Sequence, residues 1–291
     1  MNNAKIKFLT SMLIFGSIGI FVRHIDLPSN LIVFFRCIIG SLFLFILAVL
    51  TKKINKKDVK SLKENWKPLL LAGFFLNMNW LFLYKAFKVI PVSIAVILYY
   101  IAPIIVVLVA PFILKEKLTK KKVVAVFITF IGLVLIVGIK GQGNLDPTGI
   151  IYGLLAAFFY AGLVISNQKL KEVDGFISSI GLLLIAGILM GLYLLTITPI
   201  EYTISTSGLV YMGILCIVHT GIACYLYFSS QKYLKGQEVA ILSYLDPASA
   251  LLFSAIFLHE VLTPVQWAGI VCILLGTLIL EIKLNKKAIS N

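Results

Sequence analysis

Residues 94–119 read IAVILYYIAPIIVVLVAPFILKEKLT, and residues 238–263 read EVAILSYLDPASALLFSAIFLHEVLT, the same stretch met again 144 positions on (94 to 238) without a gap. Tyr100, Pro103, Glu116, Leu118, Thr119 and Gly132 fall on Tyr244, Pro247, Glu260, Leu262, Thr263 and Gly276 in that single register. Leucine and isoleucine matches mean little in so apolar a chain, so the weight rests on Tyr, Pro, Glu, Thr and Gly. The chain reads as two copies of one unit, residues 1–140 and 147–285.

What the unit is follows from its solvent. The 291 residues are 60% hydrophobic and 13% charged, with a mean hydropathy of +1.03, against roughly 45–50% apolar and about 25% charged residues in soluble domains. The surplus falls in separated runs at 6–22, 30–50, 68–87, 92–114, 123–139, 148–166, 176–197, 208–230, 237–258 and 265–282. As helices, runs of this length each cross about 30 Å of hydrocarbon. The short alternating segments of a β-barrel are missing. An all-α integral membrane protein with ten transmembrane helices is predicted, five in each copy.

A net charge of +14 would suggest nucleic acid in a soluble protein. Here the charge sits between the apolar runs and reports topology. Lys52, Lys53, Lys56, Lys57, Lys60, Lys63 and Lys67 separate runs two and three, and Lys115, Lys117, Lys120, Lys121 and Lys122 separate four and five. Lys5, Lys7, Lys169, Lys171, Lys232, Lys235, Lys283, Lys286 and Lys287 fall in the same alternating set, while the opposite set holds only Arg23, Lys85, Lys88 and Lys140. Both termini are expected in the cytoplasm, and no nucleic-acid partner is expected. The first run is read as a retained span, because Val22-Arg23-His24-Ile25-Asp26 offers no small residues for cleavage. Cys37, Cys216, Cys224 and Cys272 lie inside apolar runs without metal-ligand spacing and read as buried small hydrophobes.

An odd number of spans per copy makes the second copy enter the membrane from the side opposite the first. The charges agree: the loop after Glu116 is crowded with lysine, whereas Val261-Leu-Thr-Pro-Val-Gln-Trp267 has none. Two inverted five-helix repeats can exchange inward-open and outward-open shapes around a midplane site, which points to transport.

The shape APxxxxLxAxxxLKEKLT, repeated as DPxxAxLxSxxxLHEVLT, resembles the drug/metabolite transporter superfamily, and within it the EamA-type ten-helix exporters. Arg36 in span two and the span-eight text Val218-His219-Thr220-Gly221-Ile222-Ala223 share that resemblance, which extends over essentially the whole chain. It implies a basket of ten helices exporting small metabolites such as amino acids across the bacterial cytoplasmic membrane, without a bound cofactor. It does not imply one substrate, since the superfamily moves many on one scaffold.

The residues themselves narrow the site. Pro103 and Pro247 each remove a backbone donor, at a cost of roughly 3 kcal/mol inside a helix. They are expected to free the carbonyls four residues back, Tyr99 and Ser243, either as polar lining for a pathway or as a packing bend; Pro111 adds a break nearer the end of span four. Asp246 is the main acidic group within a span, and its register partner is Ala102. A coupling proton, a substrate amine, a kink hydrogen bond and an ion pair with Arg36 are all open to it. Arg36 could grip a substrate carboxylate through two parallel bonds, join an ion pair or lie near the outer face. His219 offers either a proton relay or a packing contact. Asn77, Asn79, Trp80, Tyr84, Tyr99, Tyr100, Tyr225 and Tyr244 supply an amphipathic lining, although aromatic residues also anchor interfaces, and only one of Asn77 and Asn79 can face a given direction. Spans three, four, eight and nine are thus expected to line the pathway. Glu116 and Glu260 read as end-of-helix caps or ion-pair partners. Gly132, Gly276, Ala125 and Gly269 give spans five and ten a small-residue face for close packing.

No nucleotide-binding loop, HExxH or nucleophile elbow is present. The leading function is secondary export of a small metabolite such as an amino acid, in contact with membrane lipid. The alternatives are an efflux pump for cationic drugs anchored by Asp246, and, from other classes, an intramembrane enzyme or channel-like subunit. Topology is directly testable: cysteines placed beside Lys57 and Lys121 should react with an impermeant maleimide only from the cytoplasm, and those beside Lys88 and Thr263 only from outside. Labelling of the Lys121 and Thr263 loops from one face would refute inversion.

Overall fold

Apolar runs of this length satisfy every internal backbone group as helices, the form a chain takes where no water is available. The computed structural model describes residues 3–22, 24–52, 56–138, 146–170, 173–196, 202–257, 259 and 261–281, and among these there is no strand. Glu260, Arg23, Lys53, Lys140, Lys171, Lys283, Lys286 and Lys287 lie outside the described residues.

The chain opens with α1 (Asn3–Gly16) and α2 (Ile18–Val22), followed by α3 (Ser29–Leu50), a short lysine-rich α4 (Lys56–Glu64) and α5 (Trp66–Val89). Next come α6 (Val92–Tyr99) and α7 (Ala102–Ile113), α8 (Lys120–Val137), α9 (Pro147–Gln168) and α10 (Gly175–Leu194). Then α11 (Thr206–Ile214) runs into a π-helical segment (Leu215–Ile222) and α12 (Ala223–Gln231), followed by α13 (Gly236–Leu242), α14 (Leu245–Phe257) and α15 (Pro264–Glu281). Among the described residues eight stretches are long and apolar enough to cross a membrane: Asn3–Val22, Ser29–Leu50, Trp66–Val89, Ile94–Ile113, Pro147–Gln168, Gly175–Leu194, Thr206–Gln231 and Gly236–Phe257. The remaining expected spans are α8 and α15, of 18 residues each, α8 opening on three lysines. Large apolar side chains such as Leu42, Phe45, Ile46 and Val49 of α3 point outward, as they do when the surrounding medium is lipid. This is a multi-pass membrane protein.

The paired sequence motif has a local cause. Lys115 and His259, at the same place in the two copies, both adopt left-handed backbone with φ of 56° and 55°. This turn ends α7 and redirects the chain. Four residues later, Thr119 and Thr263 accept hydrogen bonds from the amides of Lys122 (3.4 Å) and Gln266 (3.3 Å). The threonines thus cap the starts of α8 and α15, satisfying donors that a helix N-terminus leaves free.

Long-range packing pairs α5 with α9, α1 with α12, α3 with α10, and α8 with α15. At the last crossing, a Cβ on Gly132 would lie 2.7 Å from the Gly269 carbonyl oxygen, and one on Gly269 would lie 2.6 Å from that of Gly132. A Cβ on Gly276 would come within 2.9 Å of the Ala125 carbonyl. Residue numbers rise along α8 as they fall along α15, so these register-equivalent helices cross antiparallel, and the small-residue faces expected to permit close packing meet each other. Gly269→Val should therefore destabilise the protein by about 1–3 kcal/mol, read as a lower melting temperature in detergent. Gly213→Val, where a Cβ meets nothing within 4 Å, should shift it far less. Equal losses would assign the effect to helix propensity.

Candidate functional site

Two helical arms break near the middle of the bundle. Pro103 and Pro247 stand in the first turns of α7 and α14, where a missing N–H is tolerated. Tyr100 and Ile101 separate α6 from α7, and Ser243 and Tyr244 separate α13 from α14. These are breaks where kinks were anticipated, and the exposed carbonyl shifts accordingly. The Tyr100 carbonyl accepts a hydrogen bond from the Tyr244 hydroxyl at 2.8 Å, while the Ser243 carbonyl takes the Asp246 amide at 3.2 Å. The arms are locked together by residues matched in the repeat.

The reciprocal bond does not form. Tyr100 instead donates its hydroxyl to Asp246 Oδ2 at 2.8 Å. Asp246 occupies the place of Ala102 in the first copy, so this one difference in sequence breaks the symmetry at the centre.

Around these breaks lies a cavity of about 270 Å³, lined by Arg36, Asn79, Trp80, Tyr84, Tyr99, Tyr100 and Asp246 among the residues singled out from sequence. The sequence reading missed Tyr160 and Tyr227, which complete the wall from α9 and α12, together with Met12, Phe15 and Ile18 from α1 and α2. Helices α1, α2, α3 and α9 therefore contribute beside α5, α6, α12 and α14. The tyrosines satisfy one another: Tyr160 stacks on Tyr99 with centroids 5.1 Å apart, its hydroxyl lies 2.9 Å from that of Tyr227, and it donates to Ser243 Oγ at 3.1 Å.

The remaining expected residues sit off the cavity wall. Tyr244 is fully buried behind Tyr100, and Pro103 and Ser243 are buried with it; Pro247 is partly buried beside them. Asn79 faces α9, donating to the Ala156 carbonyl at 2.9 Å, whereas Asn77 is buried elsewhere on α5 with no hydrogen-bond partner among the described residues. Tyr225 packs against Phe176 and sits under Lys7, whose ammonium is 5.8 Å from its ring. His219 places Nε2 2.9 Å from Ser17 Oγ.

Arg36 and Asp246 do not pair. Arg36 is buried, donates from Nε to Thr220 Oγ1 at 2.9 Å and holds its guanidinium carbon 4.9 Å from the Trp80 ring centre. Among the described residues neither group has an oppositely charged side chain within 4.0 Å. Both ionisable groups thus reach one aromatic-walled chamber without a counter-ion among the described residues. No group of three or more His, Cys, Asp or Glu capable of holding a metal occurs among the described residues.

Glu116 both caps and pairs. Its carboxylate accepts the amides of Gly236 (2.6 Å) and Gln237 (3.3 Å) at the start of α13 and lies 3.9 Å from Lys122 Nζ. Lys122 also donates to Gln237 Oε1, and Gln237 donates to the Val107 carbonyl at 3.2 Å. The lysine-rich turn after α7 is bolted in this way to the second copy.

A bundle of membrane-crossing helices around an aromatic-walled chamber that holds two ionisable groups is an arrangement suited to a multi-pass membrane transporter. The EamA-like transporter family profile matches residues 4–138 and again residues 147–282. The chain belongs to the EamA-like transporter family. It is 33% identical over 300 residues to the uncharacterized transporter YxxF of Bacillus subtilis (strain 168), covering 99% of this chain and 92% of that protein. It is 24% identical over 219 residues to the protein PecM of Dickeya dadantii (strain 3937), covering 74% and 73%. A solved structure described as "Crystal structure of protein" superimposes with a TM-score of 0.84 at 18% identity, covering 96% of this chain and 97% of the other. Family and relatives make it a transporter rather than an enzyme.

The Tyr244–Tyr100 bond gives a test within the site. Tyr244→Phe should strand a buried carbonyl and cost about 1–3 kcal/mol of stability, read as earlier thermal unfolding in detergent. An unchanged melting temperature would show that the carbonyl finds another partner.

Proposed function

We propose that the chain is a secondary transporter exporting a small zwitterionic metabolite, an amino acid in the first place, by alternating access. The observation carrying this reading is the presence of Arg36 and Asp246 in one chamber, neither with a counter-ion among the described residues. Charges removed from water without a partner cost several kcal/mol each, and a substrate carrying a carboxylate and an ammonium supplies both partners at once. Arg36 presents a fork suited to the carboxylate, and Asp246 accepts from the ammonium. The aromatic walls accommodate an apolar side chain, and a volume of about 270 Å³, just below the roughly 300–1,000 Å³ range of pockets for drug-sized ligands, suits a small metabolite.

Alternating access rests on the inverted halves. Three features support it: the repeat in one register, the antiparallel crossing of α8 and α15, and the matched left-handed turns at Lys115 and His259. This reading counts ten spans, with α8 and α15 among them, and the lysine-rich loops support cytoplasmic termini. Efflux of a cationic drug would use Asp246, but Arg36 in the same chamber repels a ligand that carries only positive charge.

Counterflow in proteoliposomes tests the substrate class. Amino acids should exchange saturably, while their decarboxylated amines and deaminated acids compete weakly; preference for the amine would favour the drug reading. Asp246→Asn separates two roles of the carboxylate. Lost exchange identifies an ammonium anchor. Exchange retained, with loss only of pH-driven accumulation, identifies a coupling proton, and wild-type behaviour in both assays would reject both roles.

A further inference from the structure

We infer that Thr220 is a positioning residue for the anion-binding arginine, and that the π-helical turn in the eighth span serves to present it. The inference rests on the reading of Arg36 as the anchor for a substrate carboxylate.

A threonine inside an α-helix usually turns its hydroxyl back to a carbonyl three or four residues earlier. Thr220 instead donates to the Leu215 carbonyl, five residues back, at 3.0 Å. That bond spans the wide turn of Leu215–Ile222. Such turns are rare and cluster at functional sites, and each adds one residue to a helical turn. One residue is about 100° of rotation, so the π turn decides which side chain of this span faces α3. On α3 the room is made by Gly40, where a Cβ would come within 3.0 Å of Thr220 Cγ2 and 3.2 Å of the Cys216 carbonyl. On the other side, His219 contacts Ser17 and pins the same turn to the segment between α1 and α2.

The hydroxyl proton is committed to Leu215, which leaves the oxygen lone pairs to accept from Arg36 Nε at 2.9 Å. Trp80 bounds the guanidinium on one face, and Thr220 takes its inner edge. Of the five N–H donors of arginine, the four on Nη1 and Nη2 have no hydrogen-bond partner among the described residues, and Arg36 lines the cavity. Their paired edge is the one that meets a carboxylate through two parallel bonds. Thr220 thus selects which edge of the guanidinium is offered, without touching substrate.

Thr220→Val keeps the shape and removes the oxygen, Thr220→Ala removes it without crowding Gly40, and Thr220→Ser keeps it. Each is assayed in proteoliposomes with an amino acid and with its carboxamide, which lacks the carboxylate charge. The expected result is an apparent KM for the amino acid raised about tenfold in Val and Ala, with maximal rate and carboxamide KM within about twofold of wild type, and restoration by Ser. In an Arg36→Lys background, which has no Nε edge, Thr220→Val should add nothing. Amino-acid preference undiminished in both Val and Ala, or KM raised equally for acid and carboxamide, would overturn the role of Thr220 alone. A wild-type protein indifferent to the carboxylate would overturn the reading of Arg36 and this inference with it.

Discussion

Inside hydrocarbon a peptide carbonyl has no water to turn to, so a broken helix must find its own donors. Two arms of this bundle break where they pass each other, and the hydroxyl of Tyr244 from one break closes the Tyr100 carbonyl of the other. Much else at the centre follows. With that carbonyl satisfied by its counterpart, the Tyr100 ring stacks against Tyr244 at 5.7 Å between centroids, and its own hydroxyl is free for Asp246. The breaks thus lie beside the chamber and are stabilised by the side chains that line or back it.

The same economy extends along the wall. Tyr160, Tyr227 and Ser243 use their hydroxyls on one another, and Asn79 uses its amide on the backbone of α9. A lining built this way is amphipathic in shape but has few unspent hydrogen bonds. The charges of Arg36 and Asp246 stand out against it, which is why ligand chemistry is better argued from these two than from the tyrosines that outnumber them.

How much of this was legible depended on whether a feature is local. The Pro and Gly matches pointed to bends and close packing because each has a local backbone cause, a missing donor or, as at Gly132, a missing Cβ; the Thr matches carried no assigned role on sequence, and the structure makes Thr119 and Thr263 N-caps. Apolar runs located the helices for a similar reason. Their rotation was another matter. Asn77 and Asn79 were known to face apart, but nothing in the order of residues told which one would meet the cavity. Tyr160 was overlooked because its partners Tyr227 and Ser243 are 67 and 83 positions away, outside the repeat register. The π turn was invisible, since Leu215–Ile222 carries no residue that forces a widened turn. The Arg36–Asp246 pair, open on sequence as one possibility, does not form; each group has a neutral hydroxyl partner instead, Thr220 and Tyr100 respectively.

The crossing of α8 and α15 carries a consequence for how such a chain can change over generations. In most cores a side chain that grows can be answered by a neighbour that shrinks. At Gly132 and Gly269 each residue presses on the other's backbone, and neither has a side chain left to give up. A substitution there has no reciprocal partner. The two halves differ freely at Asp246 and Ala102, but at this crossing the route to compensation is closed from both sides.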